Sequence, residues 1–290
     1  MHANPPCLPY CHLVRIPIIS HSMAAPLSIA CLPDSSDELL AHCLTLLDPA
    51  ERHRSAALVC RRWAQLTQSP ACLRTGCSEV AFAGGLNTGC GLERLLSFSA
   101  WVARRAAPHV ADLGLSFSGL DEPVDIEQLQ TAAALAATLA ACGAAGSLRE
   151  LRLEAALPID PWLSTLHSLE SLRISVPEGE GVIGMDAPLH LLSRLASLSL
   201  QFVLVAPSAR LPPTLASLEL DECGGEGLVT KMVTLPALCQ LIVRSSLDPP
   251  EVPLDLGAAA ASQLTRLTAL ERLELLDCPA CPPACRTCTA

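Results

Sequence analysis

The sequence has 290 residues, half of them hydrophobic, with only 3% aromatics and a mean hydropathy of +0.39. That is enough apolar material for one or two domains with cores of leucine, alanine and valine. The net charge of −10 and a pI near 5.2 argue against nucleic-acid binding, which needs clustered Lys and Arg.

Residues 1–30 carry Pro, His and Ser without a period and read as a disordered segment. Their apolar runs are broken by Pro9, Pro17 and Pro26, and Arg15 is their single arginine, so no secretory signal is evident. Met23 opens Met-Ala-Ala-Pro and is an alternative start. Fifteen cysteines fall below the density of a disulfide scaffold. Free thiols in a reducing compartment, cytoplasmic or nuclear, are therefore expected. The most apolar run, Thr131 to Gly146, is shorter than the roughly 20 residues that cross a bilayer and reads as a buried helix.

Residues 31–75 are dense in helix signals. Ser35-Ser-Asp-Glu38 has the form of a capping box, and Leu39, Leu40, Cys43, Leu44 and Leu47 follow at helical spacing. Asp48-Pro49-Ala-Glu51 opens a second helix, with Asp as cap and Pro at the first helical position. Val59, Trp63 and Leu66 make one stripe on a third helix, which Ser69-Pro70 ends. Three short helices bury little surface, and their apolar residues exceed the needs of so small a core. The excess points to a docking face for another protein.

From residue 76 the chain reads as a repeat region. Strands near Glu79–Phe82 and Val110–Phe117 alternate with helices at Leu92–Ala106 and Ile126–Ala141. A Leu-x-x-Leu-x-Leu triplet is then repeated, first as Leu148, Leu151, Leu153. It returns at Leu169, Leu172, Ile174; at Leu195, Leu198, Leu200; and at Leu215, Leu218, Leu220. Leu238, Leu241, Val243 and Leu270, Leu273, Leu275 complete the series. The intervals fall mostly within the roughly 20–29 residues of a leucine-rich repeat. Side chains two apart on a strand face the same way, so each triplet offers an apolar edge that only a stacked neighbour can bury. The expectation is an α/β fold: a curved leucine-rich-repeat solenoid on a parallel sheet, spanning residues 76–290 behind the helical motif. In the later units loops or single turns replace helices, with one Ala-rich turn at Gly257–Gln263.

Strand geometry turns the residues flanking the buried leucines outward. One row reads Arg152, Arg173, Ser199, Glu219, Ile242, Glu274, and the next Glu154, Ser175, Gln201, Asp221, Arg244, Leu276. The plain reading of these rows is a solvated face. The functional reading is a target-binding groove carried by Arg152, Arg173, Gln201, Glu219, Asp221 and Arg244, in which Arg152 and Arg173 meet an acidic or phosphorylated segment.

Other motifs carry little. Gly179-Glu-Gly181-Val-Ile-Gly184 has the dinucleotide-loop spacing, but Glu178 and Glu180 would repel a pyrophosphate and Pro188 interrupts any following helix. Gly84 to Gly91 lacks the Lys and Ser/Thr of a phosphate loop. Cys278, Cys281, Cys285 and Cys288 form two Cys-x-x-Cys pairs, too close together for a zinc ribbon, and read as free thiols in a terminal repeat; a zinc site is the alternative. No nucleophile signature or paired His spacing is present, so neither catalysis nor a cofactor is expected.

Leu32-Pro33-Asp34, Asp37-Glu38-Leu39-Leu40, Leu44, Leu47, Pro49 and Leu58-Val59-Cys60-Arg61-Arg62-Trp63 together resemble an F-box. With the repeats behind them, the arrangement resembles the F-box leucine-rich-repeat proteins. The resemblance implies docking on the SKP-family adaptor of a cullin-based (SCF) ubiquitin ligase through Leu32, Pro33, Leu39, Leu40, Leu44, Pro49, Val59, Cys60 and Trp63. The repeats would then hold a target protein. Two departures, the extra Ser35-Ser36 and Arg52-His53-Arg54 where family members often place leucines, motivate a second reading. In it the chain is a repeat scaffold of a cytoskeletal or axonemal assembly.

Overall fold

The computed structural model describes residues 36–47, 52, 56–74, 80–82, 90–117, 126–155, 160–177, 183–225, 227–244, 264–276 and 288–289. Residues 37–290 form one compact unit. The readings placed on residues 1–30, on Leu32-Pro33, on Asp48 to Glu51, on the 257–263 turn and on Cys278, Cys281 and Cys285 lie outside the described residues.

The first described residues include the short helices α1 (Asp37–Thr45), α2 (Ala57–Val59), α3 (Arg61–Leu66) and α4 (Pro70–Arg74). Asp37 and Glu38 stand in the first turn of α1, where carboxylates complement the helix dipole. The stripe Val59, Trp63, Leu66 is not carried on one helix. Cys60 takes an extended backbone, φ −161° and ψ 168°, which separates α2 from α3 and leaves Val59 pointing away. Ser69-Pro70 closes one helix and also starts the next. Pro70 occupies the first position of α4, where its missing N–H costs nothing, and the Ser69 hydroxyl accepts from the Cys72 amide at 3.5 Å.

Beyond the helices lies a nine-stranded sheet, in the order β1 (Val80–Phe82), β2 (Asp112–Phe117), β3 (Glu150–Glu154), β4 (Ser171–Ser175), β6 (Ser197–Gln201), β8 (Ser217–Asp221), β9 (Gln240–Arg244), β10 (Arg272–Leu276) and β11 (Cys288–Thr289). All neighbours are parallel until β11, which pairs antiparallel with β10. Strand order thus matches chain order, with β5 (Ile183–Met185) and β7 (Val203–Val205) set aside as a separate parallel pair. Each Leu-x-Leu falls on a strand, and the register holds the leucines in line: Leu113, Leu151, Leu172, Leu198, Leu218 and Leu241 are successive partners. These and the parallel columns Leu115, Leu153, Ile174, Leu200, Leu220, Val243 and Val110, Leu148, Leu169, Leu195, Leu215, Leu238 are at most 2% exposed. Each such leucine contributes about 1.5–3 kcal/mol of burial.

The backbone repeats as faithfully as the side chains. Before each strand one carbonyl accepts two consecutive amides of the next unit. The Arg149 carbonyl takes those of Glu170 and Ser171, and the carbonyls of Glu170, Ala196, Ala216 and Cys239 do the same for their neighbours. Ahead of them the chain turns in three-residue steps, Leu163, Leu166, Leu169 and Leu189, Leu192, Leu195, closed by i to i+3 bonds. Each step places another buried leucine.

Longer helices cover the early part of the sheet: α5 (Cys90–Trp101), which runs into a π-helical turn at Val102–Ala106, and α6 (Ile126–Ala145). Both extend the helices expected from sequence by a few residues at one end or the other. They join through the buried Ser99 hydroxyl, which donates to the Ala134 carbonyl at 3.0 Å. Gly143 lets α6 approach the turn after α7 (Asp160–Leu163), since a Cβ there would lie 2.6 Å from the Thr165 carbonyl oxygen. A further short helix, α8 (Leu228–Met232), precedes β9. Among the described residues no helix is long and apolar enough to cross a membrane.

Candidate functional site

The helical segment is organised around a small core of Leu40, Leu44, Ala56 and Cys72, with Trp63 and Leu66 against it. Arg52 closes that core from within. It is 1% exposed, and its guanidinium donates to the carbonyls of Cys72 at 2.6 Å, Leu47 at 2.9 Å and Thr45 at 3.1 Å. Those carbonyls stand at the C-terminal ends of α1 and α4, where helical bonding runs out. Arg52, one of the departures noted in the sequence, is therefore an internal clamp. Arg62 adds an outer tie, its guanidinium 2.7 Å from Asp37 at the start of α1. Arg105 of the π turn donates to the Gln68 side chain at 2.5 Å, and Leu73 belongs to the main sheet core, so the segment is fastened to the body of the sheet.

The residues singled out for docking divide into two sets. Leu40 and Leu44, at 4% and 1% exposed, hold the segment together and present nothing to a partner, because helical spacing marks an apolar face without saying what covers it. Trp63 is half-buried against them. Leu39 and Val59 are 56% and 60% exposed, and Cys60 is exposed beside Val59. Leu32, Pro33 and Pro49 lie outside the described residues. The structure adds Leu58, 81% exposed, and Leu46, 75% exposed. Adjacent residues such as Leu58 and Val59 cannot both point into one core from a helix, and that was the available signal. This is a set of aliphatic side chains left in water on a segment whose interior is already filled.

Residues 30–75 match the F-box domain. The F-box match thus takes in α1 to α4 and their exposed aliphatic set. No curated protein matches the chain.

Beyond the F-box, the outer face of the sheet shows the two expected rows in register. Arg152, Arg173, Ser199, Glu219, Ile242 and Glu274 are successive partners, as are Glu154, Ser175, Gln201, Asp221, Arg244 and Leu276. Their charges are mostly spoken for. Arg152 donates to Glu150 at 2.8 Å and to Asp112 at 3.2 Å, and Arg244 pairs with Glu219. Ser199 adds a donor to Glu219 at 3.1 Å. Arg173 is exposed and makes no hydrogen bond or ion pair among the described residues. It borders a shallow depression of about 330 Å³, lined also by Gly114, which stands in the row beside Arg152, and by Glu154, Ser175 and Gln201.

The carboxylates respond to this layout in opposite directions. Partial burial raises Glu219, but hydrogen bonds from Arg244 and Ser199, helped by the charges of Arg244 and Arg173, outweigh it and hold the acid below its ordinary value. For Asp221, burial wins over the attraction of Arg244, and the neighbouring Glu219 adds to the rise. Asp112 is likewise raised by burial, against Arg152 and with Glu150.

Cys72, Cys142 and Cys223 behave as small core residues, whereas Cys43 and Cys60 are exposed. Cys223 donates its thiol to the Leu200 carbonyl at 3.2 Å, across to the preceding strand of the sheet, and burial pushes its pKa up to about 12. Among the described residues no group of His, Cys, Asp and Glu side chains could hold a metal ion.

Proposed function

We propose that this chain is the substrate-recognition subunit of an SCF-type ubiquitin ligase. The F-box docks on a SKP-family adaptor that bridges to a cullin scaffold. The strands beyond it, read as leucine-rich repeats, hold a target protein on their outer face. The chain performs no bond chemistry and needs no cofactor; it raises the local concentration of target near a ubiquitin-charged enzyme. It works in a reducing compartment, the cytoplasm or the nucleus. The observation that carries this reading is the F-box match over a segment whose described residues form a core around Leu40 and Leu44 yet leave Leu39, Leu58 and Val59 exposed.

On the sheet, Arg173 is the cation best placed to meet an acidic target side chain, because Arg152 already serves two carboxylates. Gln201, Glu219, Asp221 and Arg244 supply the polar surroundings.

Co-purification tests the docking. Adaptor and cullin are expected to come down with the wild-type chain and to be lost with Leu58→Asp combined with Val59→Asp. Removing two aliphatic anchors at about 1.5–3 kcal/mol each weakens binding by roughly a hundredfold or more. Both side chains are exposed, so the fold survives the change. Equal adaptor recovery from the double variant, or none from the wild type, would leave the repeat-scaffold reading in its place.

A further inference from the structure

Arg152 and Arg173 are register partners on neighbouring strands, about 4.8 Å apart along the row, yet they are not equivalent cations. Arg152 is held by Glu150 at 2.8 Å and by Asp112 at 3.2 Å, so its charge is cancelled where it stands. Arg173 is exposed and has no such partner. The side chains of Ser175 and Gln201 beside it also make no hydrogen bond among the described residues.

Carboxylates stand on both sides of this cation. Glu154 lines the same depression, accepts from the Ser116 hydroxyl at 2.8 Å and is the register partner of Ser175. On the far side, Arg173 already lends its charge to Glu219 and Asp221. The depression thus has room for one further negative charge and little more. A carboxylate supplies that charge in a planar group that a guanidinium fork matches, with Gln201 and Ser175 able to donate to its remaining lone pairs. A phosphate monoester brings about 1.5 to 2 negative charges near neutral pH. Its second charge finds Arg152 engaged and Glu154 on the wall.

We propose that the depression around Arg173 takes one unmodified Asp or Glu side chain of an extended target segment and rejects a phosphorylated residue in the same place. This rests on the reading of the sheet's outer face as the target-binding surface. Capture is then constitutive. A phosphate added to the recognised segment weakens it instead of promoting it, so phosphorylation shields the target.

The test sets the purified full chain against a random-peptide display library. Peptides are selected on the wild type after depletion on Arg173→Gln, a change at an exposed side chain that leaves the fold intact. The selected peptides should share an Asp or Glu at one position and bind Arg173→Gln at least about fivefold more weakly. Phosphoserine in place of that acid should lower affinity by about fivefold or more. Glu154→Gln, which keeps an acceptor for Ser116, should recover most of that loss. A pool with no shared acid, or no peptide that depends on Arg173, overturns the proposal. So does a phosphoserine peptide that binds as tightly as its parent, or a loss that Glu154→Gln does not relieve. Adaptor co-purification is scored separately. A chain that takes the adaptor but enriches no acidic peptide keeps the ligase reading and loses this one; enrichment without the adaptor does the reverse.

Discussion

Arg52→Met removes the clamp inside the F-box while keeping much of its aliphatic stem. Three backbone carbonyls lose their donors, those of Thr45, Leu47 and Cys72. Hydrogen bonds from a charged donor are worth roughly 1.5–3 kcal/mol each, but the losses are unequal. Leu47 is exposed and Thr45 half-buried, so water can reach their carbonyls, whereas Cys72 is fully buried. The Cys72 carbonyl therefore bears the whole penalty and the other two a fraction, giving about 3 kcal/mol in all. The expected site of failure is local, since α4 is joined to α1 through this arginine. Hydrogen exchange reads it directly. The Leu73 amide, bonded to the Ser69 carbonyl at 2.9 Å, should lose protection by about two orders of magnitude, while amides of β4 and β6 stay unchanged. Arg61→Met, at an exposed position, serves as the control. A change at Leu73 of less than threefold would refute the reasoning, because a buried carbonyl cannot lose a charged donor at no cost.

Other outcomes concern the sheet. Leu172→Ala, in the middle of the buried column, should cost about 2–5 kcal/mol in urea unfolding, and Leu273→Ala, half-buried on β10, less than half of that; equal costs would contradict the burial gradient. Gly143→Ala should lower Tm despite alanine's better helix propensity, because its Cβ meets the Thr165 carbonyl; the net cost is about 1 kcal/mol, and a higher Tm would show that the turn yields. Glu219→Gln and Asp221→Asn should act oppositely at neutral pH. Glu219, held low in the fold, stabilises above its unfolded value and loses that contribution as pH falls through its folded value, so the Gln variant is the less stable at pH 7. Asp221, raised in the fold, is charged at a cost at pH 7, so the Asn variant is the more stable there. Both differences should vanish well below the ordinary carboxylate range, and thermal melts across pH would expose a wrong sign.

The strands were legible because their signal is strict: a Leu-x-Leu pair has one way to bury both side chains, and the repeat spacing supplies the neighbour. The three-residue leucine steps ahead of them, at Leu163 and Leu166 or Leu189 and Leu192, were hidden because a period of three belongs neither to a helix nor to a strand. The side pair β5 and β7 left no trace either. The chain enters β7 from β6 through Phe202, whose φ of 55° is a conformation no one expects of a bulky residue without seeing it. In the F-box, helical spacing pointed to the helix at Leu39 to Leu44 and to helical residues from Val59 to Leu66, but not to the break between them, since nothing about Cys60 announces an extended backbone. Leu40, Leu44 and Leu39 looked alike in sequence; only packing separates the two that form a core from the one that is left over. Arg52 was misleading for the same reason, an arginine being ordinarily a surface residue.

The match between spatial order and chain order along the sheet has a consequence for how this protein can change. Leu198 faces Leu218, and Leu218 faces Leu241, through the same alignment of five residues against five. A duplication or loss of one whole unit therefore presents an interface of the same pattern to the strands on either side. Length can drift by such steps while the joints stay fitted, so the outer surface can be redrawn without re-inventing the interior.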